Sequence, residues 1–226
     1  MSRRRPCIAI DGPVAAGKGT IARMVADRLG YTYVDSGAMY RALAWAARDA
    51  GIRREDVGEA IGLARTISIR LVSQPGGANR VLVEDVDVTE EIRAQEIGQL
   101  ASRLSEIREV RERMVAMQQE MAKEGGVVME GRDIQTVVLP EAEVKIFLTA
   151  SAEERARRRH LELQERGENS RYEDVLGEIK QRDERDMNRE HSPLKAALDA
   201  VHVDTTGLSI EQVVERVIGI AGRAGK

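Results

Sequence analysis

The 226-residue chain reads as an α/β protein, a five-stranded parallel sheet with helices packed on both faces. Three observations predict it. Short apolar runs occur at Cys7 to Ile10, Thr32 to Val34, Val127 to Met129, Val144 to Leu148 and Val201 to Val203, each bounded by turn or charged residues. Helical patterns separate the runs, and alternation of this kind builds parallel sheets covered on both sides. Acidic residues, Asp11, Asp35, Glu130 and Asp204, fall just beyond four of the runs, at the carboxyl ends where such sheets hold their ligands.

In chain order, the first run leads into a glycine-rich loop, residues 12–20, and then an amphipathic helix, Ile21 to Leu29. The stretch from Ser68 to Glu90 breaks the alternation. Ile67, Ile69 and Leu71, then Val81, Val83, Val86 and Val88, recur at period two around a turn at Gln74 to Asn79, which predicts a small antiparallel insert. From Ile92 to Met121 the apolar positions Ile97, Leu100, Leu104, Ile107, Val110, Met114, Met117 and Met121 step by three and four, so one or two amphipathic helices are expected. The methionines there read as core filler, because an unbranched thioether fits irregular gaps. A second helical stretch, Ala152 to Arg166, is dense in arginine and ends at a turn, Gly167 to Asn169. Neither an internal repeat nor a low-complexity linker is visible.

A chain of 25.0 kDa buries roughly 70% of its unfolded surface, enough for one sizeable core. With 42% hydrophobic and 32% charged residues, disorder is excluded as its main state. The six aromatic residues cannot form a row of stacking platforms for single-stranded nucleic acid, and a net charge of -3 lacks the basic field of a non-specific nucleic-acid binder. The single cysteine, Cys7, has no partner for an internal disulfide or a zinc cluster, which suits a reducing cytoplasm. The basic start, MSRRRP, is followed by too few apolar residues for a signal segment, and no run is long enough to span a membrane. Arginine outnumbers lysine by 29 to 6, a skew expected where planar guanidiniums clamp phosphates.

Residues 12–20 read GPVAAGKGT between the first strand and the first helix, the context that a G-x-x-x-x-G-K phosphate loop requires. Gly12 and Gly17 permit close backbone approach, so that successive N–H groups can point at an anion, and the helix N-terminus adds partial positive charge. Lys18 would reach the β and γ phosphates. Gly19 stands where serine or threonine usually follows the lysine, and the hydroxyl comes at Thr20. This GKGT form resembles nucleoside monophosphate kinases more than GTPases or motor ATPases, and no N-K-x-D guanine reader occurs. Magnesium is therefore expected with ATP, held by phosphates and water rather than by direct ligation, with Thr20 and Asp35 reaching it only through water.

Two further loops each set an arginine beside an acid, DSGAMYR at Asp35 to Arg41 and EGRD at Glu130 to Asp133. Arg182, Arg185, Asp186 and Arg189 follow at the spacing of one helical face. The segments GPVAAGKGT, DSGAMYRALA, EIRAQEI, EGRDIQTVVLPEAEVKIFL, RDERDMNRE and SPLKAALDAVHVDTTGLSIEQV, in this order along nearly the whole chain, resemble bacterial-type cytidylate kinases.

The resemblance implies one domain over 1–226, of P-loop NTPase type. Its core sheet would occupy about 6–62 and 124–226, a nucleotide-binding lobe with the antiparallel insert about 63–123, and a helical lid about 153–171. The implied reaction is ATP plus CMP or dCMP giving ADP plus CDP or dCDP, in a cytoplasmic monomer with no nucleic-acid or membrane partner. A kinase for UMP or AMP is the alternative, and a P-loop ATPase switch a more distant one. ATP is expected at Gly12, Pro13, Val14, Ala15, Ala16, Gly17, Lys18, Gly19 and Thr20. The acceptor phosphate would meet Ser36, Arg41 and Arg132 with Arg189 nearby; Ser102, Arg111 and Asp133 would read the cytosine, Arg182 and Asp186 would hold the sugar, and Asp35 is expected among the substrate-binding residues. Arg155, Arg158 and Arg159 fall where the family's lid closes on ATP, and Arg158 joins Lys18, Arg41 and Arg132 in the expected catalytic set. Two departures stand out: Gln135 where the family usually has glycine, and Glu109 where proline is common.

Overall fold

A computed structural model describes residues 5–53, 55–74 and 77–224. Most of the basic start, residues 1–4, and two residues of the expected insert turn, Pro75 and Gly76, lie outside the described residues. Five strands, β1 (Ile8–Asp11), β2 (Thr32–Asp35), β6 (Val127–Gly131), β7 (Val144–Thr149) and β8 (Val201–Asp204), form one parallel sheet in the order β2-β6-β1-β7-β8. All five lie on the predicted apolar runs. Three of the expected flanking acids, Asp11, Asp35 and Asp204, are the last residues of their strands rather than the first beyond them, and Glu130 is the last but one of β6. The register sets Asp35 opposite Glu130 and Asp11 opposite Gly131, so these groups share one end of the sheet. After β2 and β6 the chain crosses β1 to reach β7, and the switch of direction opens a crevice at the carboxyl ends of β1 and β6.

Helices α1 (Lys18–Leu29) and α8 (Ile210–Ala224) cover one face, packing Ile21, Val25, Val214 and Val217 against Ile8, Ile10 and Ile146. The first helix starts at Lys18, three residues before the expected Ile21, because Gly17 serves as its left-handed N-cap. On the other face Ala9, Val34 and Met129 meet Ile134, Val138 and Ala122.

The insert is present as an antiparallel sheet of β3 (Ile69–Val72), β4 (Arg80–Val83) and β5 (Val86–Asp87). The helical stretch after it is two helices, α4 (Gln95–Leu104) and α5 (Arg108–Met121), parted at Ser105 to Ile107; Glu109 sits in the first turn of α5, which forms without proline. These elements share one cluster with α2 (Ser36–Asp49) and α3 (Val57–Thr66), centred on Met39, Leu43, Ile97 and Met114. Met114 is fully buried and Met117 and Met121 pack against the same cluster, as core filler should. A last cluster joins α6 (Ala152–Glu165) to α7 (Tyr172–Asn188) through Ala156, Val175 and Ile179. No helix among the described residues is long and apolar enough to cross a membrane.

Candidate active site

The loop between β1 and α1 is shaped by glycine where a side chain would collide. A Cβ at Gly12 would stand 2.0 Å from the Leu148 carbonyl oxygen, and Gly17 adopts φ 83, a left-handed angle that favours glycine. Val14, Ala15, Gly17, Lys18, Gly19 and Thr20 line a cleft of about 270 Å³; Gly12, Pro13 and Ala16 belong to the loop without lining it. Lys18 Nζ is folded back to donate to the Pro13 carbonyl at 2.9 Å. Burial, assisted by the nearby Arg132 charge, pulls its pKa down to about 7.

The ends of β1, β2 and β6 carry acids that are tied into the fold beside the loop. Asp11 is fully buried and accepts the N–H groups of Ile134 at 3.0 Å and Gln135 at 2.8 Å, and burial pushes its pKa up to about 7. Gln135 is buried too: its Nε2 donates to Ile146 O at 2.6 Å and its Oε1 accepts from Ala197 N at 3.2 Å. A side chain in place of glycine here therefore stitches the turn after β6 to β7. Asp35 Oδ1 accepts from Ala38 N at 2.8 Å and caps α2, and Ser36 Oγ donates to Glu130 O at 2.7 Å. Gly131 leaves room for that contact, since its Cβ would meet Ser36 Oγ at 2.5 Å. Burial and the Asp35 charge push Glu130 up to about 7.

The far half of the cleft is a lattice of guanidiniums. Arg132 Nε donates to Asp186 Oδ2 at 2.8 Å, and Arg111 bridges Asp133 Oδ2 at 2.5 Å and Ser105 O at 3.0 Å with its plane over the Tyr40 ring. Arg189 Nη2 stands 4.0 Å from Asp133 Oδ1. Arg182 lines the same space, its pKa pulled down to about 10 by burial and then by the Arg132 charge. Arg41, Ser36 and Ser102 also face the cleft. Its wall thus carries six cationic side chains, Lys18, Arg41, Arg111, Arg132, Arg182 and Arg189, against four acids, Asp35, Glu130, Asp133 and Asp186. Arg111 Nε, Arg182 Nε and Arg189 Nη2 are buried donors without an acceptor. Such groups call for an anionic ligand.

Two expectations meet a different geometry. Arg158 does not line the cleft: its guanidinium donates to Thr205 Oγ1 at 3.0 Å, Thr205 O at 2.9 Å and Glu154 Oε1 at 2.8 Å. Arg159 pairs with Glu162 and Arg155 with Asp183, so none of the three lid arginines reaches the cleft in this arrangement. Arg185, on the α7 face with Arg182 and Asp186, also stays outside it. Conversely, Tyr40, Glu130 and Ser105 line the cleft without having been chosen as site residues. Tyr40 directly precedes Arg41 in α2, and Glu130, near the end of β6, is one of the acids the sequence places at the ligand-holding strand ends.

The family profile described as cytidylate kinase matches residues 8–223. The chain belongs to that family. Cytidylate kinases of Geobacillus kaustophilus, Caldicellulosiruptor bescii and Bacillus pumilus are 52%, 51% and 49% identical to it, over 96%, 93% and 99% of this chain and 97%, 93% and 99% of theirs. Among solved structures, a gluconokinase from Sinorhizobium meliloti aligns with a TM-score of 0.51 at 13% identity, over 99% of this chain and 95% of that one, a likeness of fold alone. The family match spans residues 8–223, so the insert lies inside the matched stretch rather than in an appended unit.

Proposed function

We propose that the chain transfers the γ-phosphoryl group of ATP to CMP or dCMP in one in-line step. The observation that carries this reading is the meeting, in one cleft, of a phosphate loop with a second wall of buried guanidiniums, three of whose nitrogens lack an acceptor. A phosphate oxygen of the acceptor attacks the γ phosphorus, the bond to the β–γ bridging oxygen breaks, and ADP leaves. The attacking oxygen is already ionised, so no general base is required and catalysis rests on positioning and charge neutralisation.

In this reading Lys18 and the loop amides hold the donor phosphates, and the triphosphate restores the full charge of a lysine that burial holds near pKa 7. Arg41 and Arg132 clamp the acceptor phosphate, with Ser36 and Arg189 beside it, and Asp35 lies among the substrate-binding residues. Arg182 and Asp186 hold the sugar, and Asp133, Arg111 and Ser102 face the base. The donor set fits a magnesium ion that arrives on the nucleotide. Asp35 uses one oxygen as a helix cap, Thr20 offers a hydroxyl at the wall, and no group of three His, Cys, Asp or Glu side chains among the described residues could grip a metal alone. When bound, the ion supplies charge neutralisation along the phosphates. Residues of about 63–123 serve as the acceptor lobe and about 153–171 as the lid, which excludes water as a competing acceptor. The chain acts as a monomer.

The test is an acceptor panel of CMP, dCMP, UMP, AMP and GMP at equal concentration with ATP and magnesium. CMP and dCMP should lead in kcat/KM, and Lys18→Ala should lower kcat about a hundred- to a thousandfold. Faster turnover of UMP or AMP would reassign the acceptor. Substantial ATP hydrolysis with no monophosphate present would favour an ATPase instead.

A further inference from the structure

Val14, the third residue of the phosphate loop, is held on both sides by one buried ion pair. Arg155 Nη1 donates to the Val14 carbonyl at 3.0 Å, its Nε donates to the Ala150 carbonyl at 3.0 Å, and Nη1 also lies 2.7 Å from Asp183 Oδ2. The other carboxylate oxygen, Asp183 Oδ1, accepts the Val14 N–H at 3.3 Å. Arg155 and Asp183 are only 5% and 8% exposed, and Val14 and Ala15 pack on Ala156, Val175 and Ile179. The pair therefore joins the phosphate loop, the first turn of α6 and the middle of α7.

Both peptide planes that flank Val14 are set by this pair. In a trans peptide the N–H points opposite to the C=O, so fixing the Val14 carbonyl on Arg155 turns the Ala15 N–H away from α6. Ala15 itself sits at φ 58, a left-handed angle that a residue with a Cβ keeps only where its surroundings enforce it. A loop that binds phosphate through its amides depends on such plane directions.

We propose that Arg155 and Asp183 are positioning residues for the phosphoryl donor: they lock the Val14–Ala15 backbone in its ATP-binding conformation and form the fixed pivot of the lid helices. The inference rests on the reading of the loop as the ATP site. An ion pair that served stability alone would behave differently when both charges are removed together. Breaking one partner leaves a buried charge uncompensated, whereas replacing both with apolar side chains relieves that penalty.

The experiment measures ATP affinity with magnesium and no acceptor, CMP affinity alone, and Tm, for Arg155→Met, Asp183→Leu, the double variant and Arg155→Lys. The single variants should lose Tm and the double should recover part of it, yet ATP should bind the double at least tenfold more weakly while CMP affinity stays within twofold of the wild type. Arg155→Lys keeps the charge opposite Asp183 but cannot fork across the Val14 and Ala150 carbonyls, and should weaken ATP at least threefold with CMP unchanged. ATP affinity within twofold of the wild type in the double variant overturns the proposal, as does loss of CMP affinity in the same proportion. Unchanged ATP affinity in Arg155→Lys overturns it as well, whether or not the double variant folds. A wild-type chain that bound no ATP would overturn the loop's assignment and this proposal with it; wild-type binding alongside unaffected variants overturns this proposal alone.

Discussion

Asp133 lies between two guanidiniums, accepting from Arg111 at 2.5 Å and standing 4.0 Å from Arg189, and this placement suits a reader of cytosine. Cytosine offers an N4 amino donor with N3 and O2 acceptors, which a carboxylate and a guanidinium match, whereas uracil reverses the first two polarities. A mispaired polar group in a closed site costs on the order of 1 to 3 kcal/mol. Asp133→Asn can rotate its amide to offer a donor to uracil O4, so the ratio of kcat/KM for CMP over UMP should fall about tenfold or more. An unchanged ratio would assign Asp133 to structure. Glu130 carries a different test. Folded, it keeps its proton to about pH 7; unfolded, it releases it near 4.5. Between those values the folded state binds more protons, so its contribution to stability is complete below about pH 4.5 and is lost as pH rises through 7. Glu130→Gln removes this dependence, and its Tm relative to the wild type should rise between pH 4.5 and pH 7. Parallel Tm curves would show that Glu130 does not titrate in that window.

At the scale of elements, α6 is fastened to the phosphate loop at one end and packs on α7 through Leu163 toward the other. Its first turn carries Arg155, fastened to Val14 and Asp183, while its far end passes through Gly167 at φ 74 into a turn held by a contact between His160 Nδ1 and Ser170 Oγ at 2.8 Å. Leu161, 44% exposed, has little to bury against in this arrangement. A helix so supported can swing from its base when phosphates draw its arginines down. Hydrogen exchange in residues 153–171 should slow when ATP analogue and CMP are both bound, with the gain growing from Arg155 toward Gly167. Uniform protection along the segment, or none, would count against a hinged lid. The ion pair of Arg166 with Glu162 lies on the exposed side of α6, where water screens it, so its removal should change stability little.

For the whole molecule, two separate cores face each other across the cleft. One joins α2 to the insert and α4 and α5 around Met39 and Met114; the other lies between the parallel sheet and α1 and α8. A cleft wall with six cations and four acids attracts anions from both sides, so filling it favours closure. Binding both nucleotides should therefore lower the radius of gyration measured by X-ray scattering, and each nucleotide alone should lower it less. An unchanged radius with both bound would mean that the acceptor lobe and lid are already closed.

Local pattern determined much of this protein. The five apolar runs became the five strands, the period-two stretch became the insert, and GPVAAGKGT became the loop beneath the cleft, because each depends on residues close in the chain. The residues expected from the motifs and the family resemblance, Arg41, Ser102, Arg111, Arg132, Asp133, Arg182, Asp186 and Arg189, meet in one cleft, since a side chain at a strand's carboxyl end or on a helix face has little choice of direction. What pattern could not decide was where a long side chain finds its partner. Arg155 and Arg158 lie three apart on one helix, yet one turns to Val14 and Asp183 and the other to Thr205, 28 and 47 residues away from Asp183 and Thr205 respectively. Asp11 looked like a ligand-facing acid and instead accepts two backbone N–H groups more than a hundred residues away. A guanidinium or carboxylate taken out of water must satisfy its charge and hydrogen bonds with whatever the finished fold brings near, and those neighbours exist only once the layers have packed.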